Sequence, residues 1–300
     1  LGGQIFRVDI NKENTGTGTL VNRVERIASL GTAESSGIAN HRRFFSAPSV
    51  ALGLRNGSKV MQVAIGSGYR AGPLSEDTQD RIFAFDDVGA LGAASASYTA
   101  DTSGVYPIKE GALVDVTSNA NPASSLFNGK YGWYFNLDKS IGEKVLAKAA
   151  IIQGSVLMTS FNNESLPGQD KCNTVAGSAR FYSIALGDGR PTHKDKENSS
   201  SHVDRYTTLN VPGIPPEPQV LLGAMSGTAG EGEGGEEGEC PPGEECDPCE
   251  GRADAALTGI IGTNVVSLGP LQGCGFRKTR WYETDSTDAE QIFTEEGAER

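Results

Sequence analysis

Five cysteines, three histidines, one glycine-serine-glycine run, a few carboxylates and two tryptophans are the residues whose types could do chemistry in this chain. The cysteines are Cys172, Cys240, Cys246, Cys249 and Cys274. The spacing Cys240-x5-Cys246-x2-Cys249 could serve a metal knot or a redox pair. A zinc site wants four ligands, however, and no histidine lies near these three. In an exported chain the better reading is disulfides that staple a floppy segment. One thiol is then left over, either free or paired with a residue outside this sequence. Of His41, His193 and His202, the last two fall in a charged, serine-rich stretch and read as solvated surface. His41, beside Arg42 and Arg43, reads as a residue leading into a strand. A base would need a nucleophile or acid beside it in space, and no such partner is evident. Gly66-Ser67-Gly68 has the look of a phosphate loop, but the Lys, Thr and helix that should follow are missing, so a tight turn is expected. Asp9, Asp86 and Asp87 could be catalytic carboxylates or calcium ligands; at strand ends, turn capping is preferred. Trp133 and Trp281 could stack a sugar or a quinone, but both sit in apolar strands, which favours packing. No catalytic, cofactor or metal site emerges from these residues.

The elements that must carry them read as all-β. Residues 60–87, VMQVAIGSGYRAGPLSEDTQDRIFAFDD, give a strand, a glycine turn, a polar loop at 69–80 and a second strand. Apolar residues on consecutive positions of both strands predict that both faces are covered. Asn56-Gly57 predicts a two-residue hairpin between flanking strands. Pro48 inside 44–52 suits an edge strand. A motif of apolar, aromatic, any, apolar, Asp at 5–9 recurs at 82–86 and 134–138, and in degenerate form at 181–185. Such repeats predict the blades of a β-propeller joined by variable loops. Residues 22–40 are polar without a clean period, 89–106 and 190–206 read as long loops, and 142–152, although rich in good helix formers, reads as strand because Gly154 and a β-branched run follow. Strands are also expected at 219–224 and, as a pair turning at Gly262, over 256–268.

The chain has 300 residues, 37% of them hydrophobic, with 39 glycines and 14 prolines, a composition suited to many strands and turns. Its net charge of −12 argues against a nucleic-acid partner. Most of that charge sits in residues 231–254, within a Gly-, Glu-, Pro- and Cys-rich segment that has nothing large to bury. The expected organisation is a propeller region over 1–282, with an acidic, cysteine-containing insert at 229–252, and an acidic tail at 283–300. No apolar run is long enough for a transmembrane segment. The first residue is Leu, so the chain is expected to be part of a longer protein, and the propeller incomplete, an open arc with exposed edges.

The stretches HRRFFSAP at 41–48, VAIGSGYRAGPLSEDTQDRIFAFDD at 63–87, GWYFNL at 132–137 with GEKV at 142–145, and KTRWY at 278–282 resemble the PilC/PilY family of type IV pilus tip proteins, in its C-terminal β-propeller. The resemblance covers most of 1–228 and then 253–282. It implies export through the periplasm of a Gram-negative bacterium to the pilus tip or cell surface. It implies a non-enzymatic protein that docks on minor pilins, promotes pilus assembly and contributes to adhesion to a host or abiotic surface. It also implies an upstream N-terminal domain in the same protein. The family's calcium loop has no counterpart here, because no Asp-x-Asp-x-Asp run is present, and its ligands pass to no residue of this sequence. GWY with GEKV would form a hairpin by the same resemblance. The rival reading is a quinoprotein-type propeller dehydrogenase, which needs tryptophan-docking repeats that two tryptophans do not supply.

Overall fold

The structure is a computed structural model that describes residues 2–10, 21–31, 37–55, 57–91, 105–164, 177–192, 205–209, 213–222, 256–262 and 264–270. These residues are all-β, apart from short 3-10 turns at Ile38–Asn40, Glu110–Ala112 and Ser124–Phe127. A first sheet pairs β1 (Gln4–Ile10) with β2 (Val21–Ser29). In the second, β3 (Ser49–Arg55), β4 (Ser58–Gly66) and β5 (Arg81–Asp87) form an antiparallel meander. β7 (Gly132–Asn136) continues it, and the short β6 (Val114–Asp115) runs parallel to β7 at the far edge. The third runs β12 (Tyr206–Leu209), β11 (Ser178–Ala185), β10 (Ser155–Asn162), with β8 (Lys144–Val145) and β9 (Ala150–Ile152) sharing the other side of β10. The fourth orders β13 (Gln219–Leu222), β14 (Ala256–Ile261) and β15 (Asn264–Pro270). None of these sheets closes on itself. All four belong to one compact unit, Leu1–Leu222 with Leu257–Gly269. A second unit, Gly223–Ala256 with Pro270–Arg300, lies almost wholly outside the described residues.

The strands are apolar on successive residues because each inner sheet buries both faces. Along β5, Ile82 and Ala84 join Trp133, Phe135, Val156, Met158 and Tyr182 in one core cluster. Phe83 and Phe85, between them in sequence, join Ile5, Ile27, Val63 and Ile65 in another. The first cluster therefore packs the second sheet on the third, and the other packs it on the first. A third cluster repeats the arrangement one layer on, with Leu157 and Phe181 against Ile261 and Val266. The sheets thus stack face to face in chain order. Each fully buried large side chain contributes about 1.5–3 kcal/mol.

Several expectations hold in detail. Arg55 and Ser58 oppose each other across the hairpin at Gly57. β3 starts just after Pro48 and lies at the sheet's edge, exposing Val50, Leu52 and Leu54 on alternate positions. Residues 142–152 contain strands rather than helix, and β9 turns into β10 through Gln153 and Gly154, both at positive φ.

Other expectations are overturned. The polar stretch 22–40 supplies most of β2, which pairs with β1 in a register that sets Arg7 opposite Glu25 and Asp9 opposite Arg23. Opposite charges facing across strands stabilise a ribbon that apolar periodicity does not reveal. The aromatic motifs at 82–86 and 134–138 do not mark successive sheets; β5 and β7 lie side by side in one. GWY and GEKV form no hairpin with each other, since β7 belongs to the second sheet and β8 to the third. Gly66 and Gly68 are not at positive φ. A Cβ on Gly66 would lie 2.5 Å from that of Val145, and one on Gly68 would lie 2.3 Å from the Val145 carbonyl oxygen. Glycine is needed there because β8 crosses close to the end of β4.

Candidate functional site

The loop that leaves β4 and returns as β5 spans residues 67–80, and its two ends are locked together. Ser67 Oγ donates to Asp80 Oδ1 at 2.6 Å and accepts the Arg81 backbone N–H at 2.8 Å. The Ser67 N–H donates to the Arg81 carbonyl, also at 2.8 Å. Between these ends the loop folds back over β8. There the buried Lys144 ammonium donates to the carbonyls of Pro73 (3.0 Å), Ser75 (2.7 Å) and Gly142, which uses all three of its protons. The loop is anchored from the other side by the segment before β3. The Arg43 guanidinium lies 4.0 Å from the centre of the Tyr69 ring. Arg70 lies over Phe45 and donates to the Leu146 carbonyl at 2.7 Å. Arg42, fully buried, donates to the Gln79 carbonyl at 2.8 Å and pairs with Glu110.

Three stretches that are far apart in sequence, 41–48, 63–87 and 142–145, therefore meet at one place. A cavity of about 150 Å³ opens there, and Asp80 lines its wall with His41, Arg43, Tyr69 and Lys144. Asp80 is 2% exposed, and burial pushes its carboxyl up to about 6, against the pull of Ser67, Lys144, Arg42 and Arg43. Burial likewise lowers the Lys144 ammonium, with Asp80 and Glu76 opposing.

A second polar cluster is sealed inside the third sheet. Glu143, fully buried, accepts from Arg180 (2.5 Å), Ser160 (2.5 Å) and Tyr182 (2.7 Å). Arg180 also reaches Ser140 at 2.6 Å. Burial raises the Glu143 carboxyl, while Arg180 holds it down. Neither this cluster nor Asp80 was singled out in the sequence. The only sequence signal is a pair of charged residues, Glu143-Lys144, between a glycine and the apolar run 145–147.

The residues that the sequence did single out go elsewhere. The expectation that Asp9, Asp86 and Asp87 cap turns is overturned, because each engages an arginine. Asp9 accepts from Arg7 at 2.9 Å. Asp86 is held by Arg55 and by Gln62. Asp87 is held by Arg7 and Tyr106. Trp133 is fully buried at the centre of the first cluster, and its Nε1 donates to the Leu186 carbonyl at 2.9 Å. His41 is exposed at the cavity rim. Cys172, Cys240, Cys246, Cys249, Cys274, His193, His202 and Trp281 lie outside the described residues, as do the disulfides expected of those cysteines. Among the described residues no group of three His, Cys, Asp or Glu side chains could hold a metal ion, and no helix is long and apolar enough to cross a membrane. No family model, curated protein or solved structure matches the chain.

The Asp80 environment sets a pH dependence. Its folded value, about 6, lies above its ordinary 3.8. Between these values the folded state binds more protons than the unfolded one, so stability falls as pH rises through this window. Asp80→Asn is expected to lose part of that slope, leaving the part carried by Asp86 and Glu143, which burial also raises. Urea unfolding of both proteins across the window reads this directly; identical slopes would contradict the assignment.

Proposed function

We propose that this chain is the β-propeller region of a non-enzymatic, PilC/PilY-like pilus tip protein that docks on minor pilins, promotes type IV pilus assembly and contributes to surface adhesion. The propeller reading is supported by four sheets stacked face to face in chain order, the inner ones covered on both sides. The observation that carries the functional reading is the meeting of the resembling stretches around the 67–80 loop. Their polar residues build one rigid rim instead of scattering over the surface. A stiff stack with exposed loops and an apolar edge strand suits docking, since partners can bind rim loops or add a strand to β3. By this reading the chain is exported, works at the pilus tip or cell surface, and carries no cofactor of its own.

The test is co-purification. A tagged chain, expressed in the bacterium that makes it, is expected to bring down minor pilins. A Leu52→Lys/Leu54→Lys variant of the β3 edge keeps its stability, because both residues are exposed, and reports whether that edge is the docking surface. Recovery of neither minor pilins nor pili with the unaltered chain would remove the docking role.

A further inference from the structure

We infer that the cavity beneath the 67–80 loop binds a neutral, hydroxyl-bearing six-membered ring, a terminal sugar residue. The first ground is an unfilled bonding capacity. Asp80 is buried and lines the cavity, yet among the described residues only its Oδ1 accepts a hydrogen bond, from Ser67. Oδ2 is left to accept from whatever fills the space.

The second ground is the charge pattern of the wall. A free anion would meet Asp77 and Asp80, and a cation would meet Arg43 and the Lys144 ammonium. A neutral group that both donates and accepts meets neither penalty. Adjacent ring hydroxyls do this, donating to the Asp80 carboxylate while accepting from a guanidinium. Arg43 is suited to that second role because, among the described residues, its guanidinium engages only the face of Tyr69 and keeps its N–H donors available. The hydroxyls of Ser75 and Thr78 also line the wall and widen the choice of partners.

The third ground is shape. About 150 Å³ is the size of a cavity known to take a benzene ring in another protein, so the six-membered core of one pyranose fits while its outer substituents, and any longer glycan, continue out through the open mouth. Tyr69, exposed at the rim with Arg43 stacked on one face, offers the rest of its ring to the apolar C–H groups of such a sugar. The loop that carries these groups is held by Lys144 and by the Ser67–Asp80 lock, so the site is formed before any ligand arrives.

The binding chemistry rests on the cavity alone, while its place in adhesion rests on the function proposed above. The experiment is saturation-transfer NMR of the full chain with a panel of methyl glycosides: α-mannoside, β-galactoside, β-glucoside and N-acetyl-β-glucosaminide. At least one is expected to give saturable transfer to its ring protons. Asp80→Asn is expected to weaken it by about tenfold or more, the value of one charge-assisted hydrogen bond. Tyr69→Ala, on an exposed side chain outside the core clusters, is expected to lower the transfer while the protein stays folded, with a small loss of melting temperature from the Arg43 contact, and it keeps the test sound if Asp80→Asn does not fold. No saturable transfer from any glycoside, transfer unchanged in folded Tyr69→Ala, or a response to calcium chloride in place of the sugars would each overturn the inference. Minor-pilin co-purification is scored on the same preparations, so loss of sugar binding with pilins retained separates this inference from the assembly role.

Discussion

Replacing Arg180 with methionine is expected to destabilise the chain by about 3–5 kcal/mol, the usual cost of removing one partner from a buried ion pair. Glu143 is fully enclosed and Arg180 is the cation beside it, at 2.5 Å. Ser160 and Tyr182 donate to Glu143 but carry no charge, so without Arg180 the carboxylate must either stay ionised in an apolar setting or take up a proton. Burial already raises both Glu143 and the Tyr182 phenol, which shows how poorly this site tolerates negative charge. One further variant sharpens the reading. Glu143→Met with Arg180→Met removes both charges, and it is expected to lose less stability than Arg180→Met alone. Denaturant unfolding measures all three. A loss under about 1 kcal/mol for Arg180→Met, the range of an exposed pair, would mean that the cluster is solvated.

Trp133→Ala is expected to cost a similar amount, about 3–5 kcal/mol, by opening a cavity between the second and third sheets. Trp133 is wholly buried among Phe135, Tyr182 and Ile184. Its loss also leaves the Leu186 carbonyl without the indole N–H that it accepts at 2.9 Å. This substitution also bears on the rival dehydrogenase reading. A tryptophan that stacked a quinone would stand beside an open pocket, and its truncation would spare stability while removing a bound chromophore. Thermal unfolding and the absorbance of the purified protein separate the two; a stable Trp133→Ala protein would contradict the packing role.

How much of this was legible in the sequence differs from element to element. β4 and β5 could be read because their nearly continuous apolar runs leave only one explanation, burial on both faces, and the alternating membership of Ile82, Phe83, Ala84 and Phe85 in two clusters bears this out. The hairpin at Gly57 was legible through its turn chemistry. β2 was not, because its charged residues face opposite charges on β1, an arrangement recognisable only once the register is known. The relation of β7 to β8 was misread because two strands close in sequence look like a hairpin whether they pair or separate into different sheets. The acids Asp86 and Asp87 were noticed, but their arginines come from β3 and β1, at distances along the chain that no local pattern spans. For the same reason the cavity at Asp80 could not be seen. The polar loop at 69–80 carries no sign of being tied down, yet Lys144, Arg42 and Arg43 reach it from other segments, and its own Arg70 reaches out to the Leu146 carbonyl. Long polar side chains make such contacts through their reach, and spacing in the sequence carries little record of them.

The assembly role is tested most directly by deleting this region in the organism that makes it and counting surface pili alongside the recovered minor-pilin complex. Loss of surface pili and of that complex, both restored when the region is supplied again, is the result expected of a tip protein that promotes assembly. Normal piliation with an unaltered minor-pilin complex would contradict it.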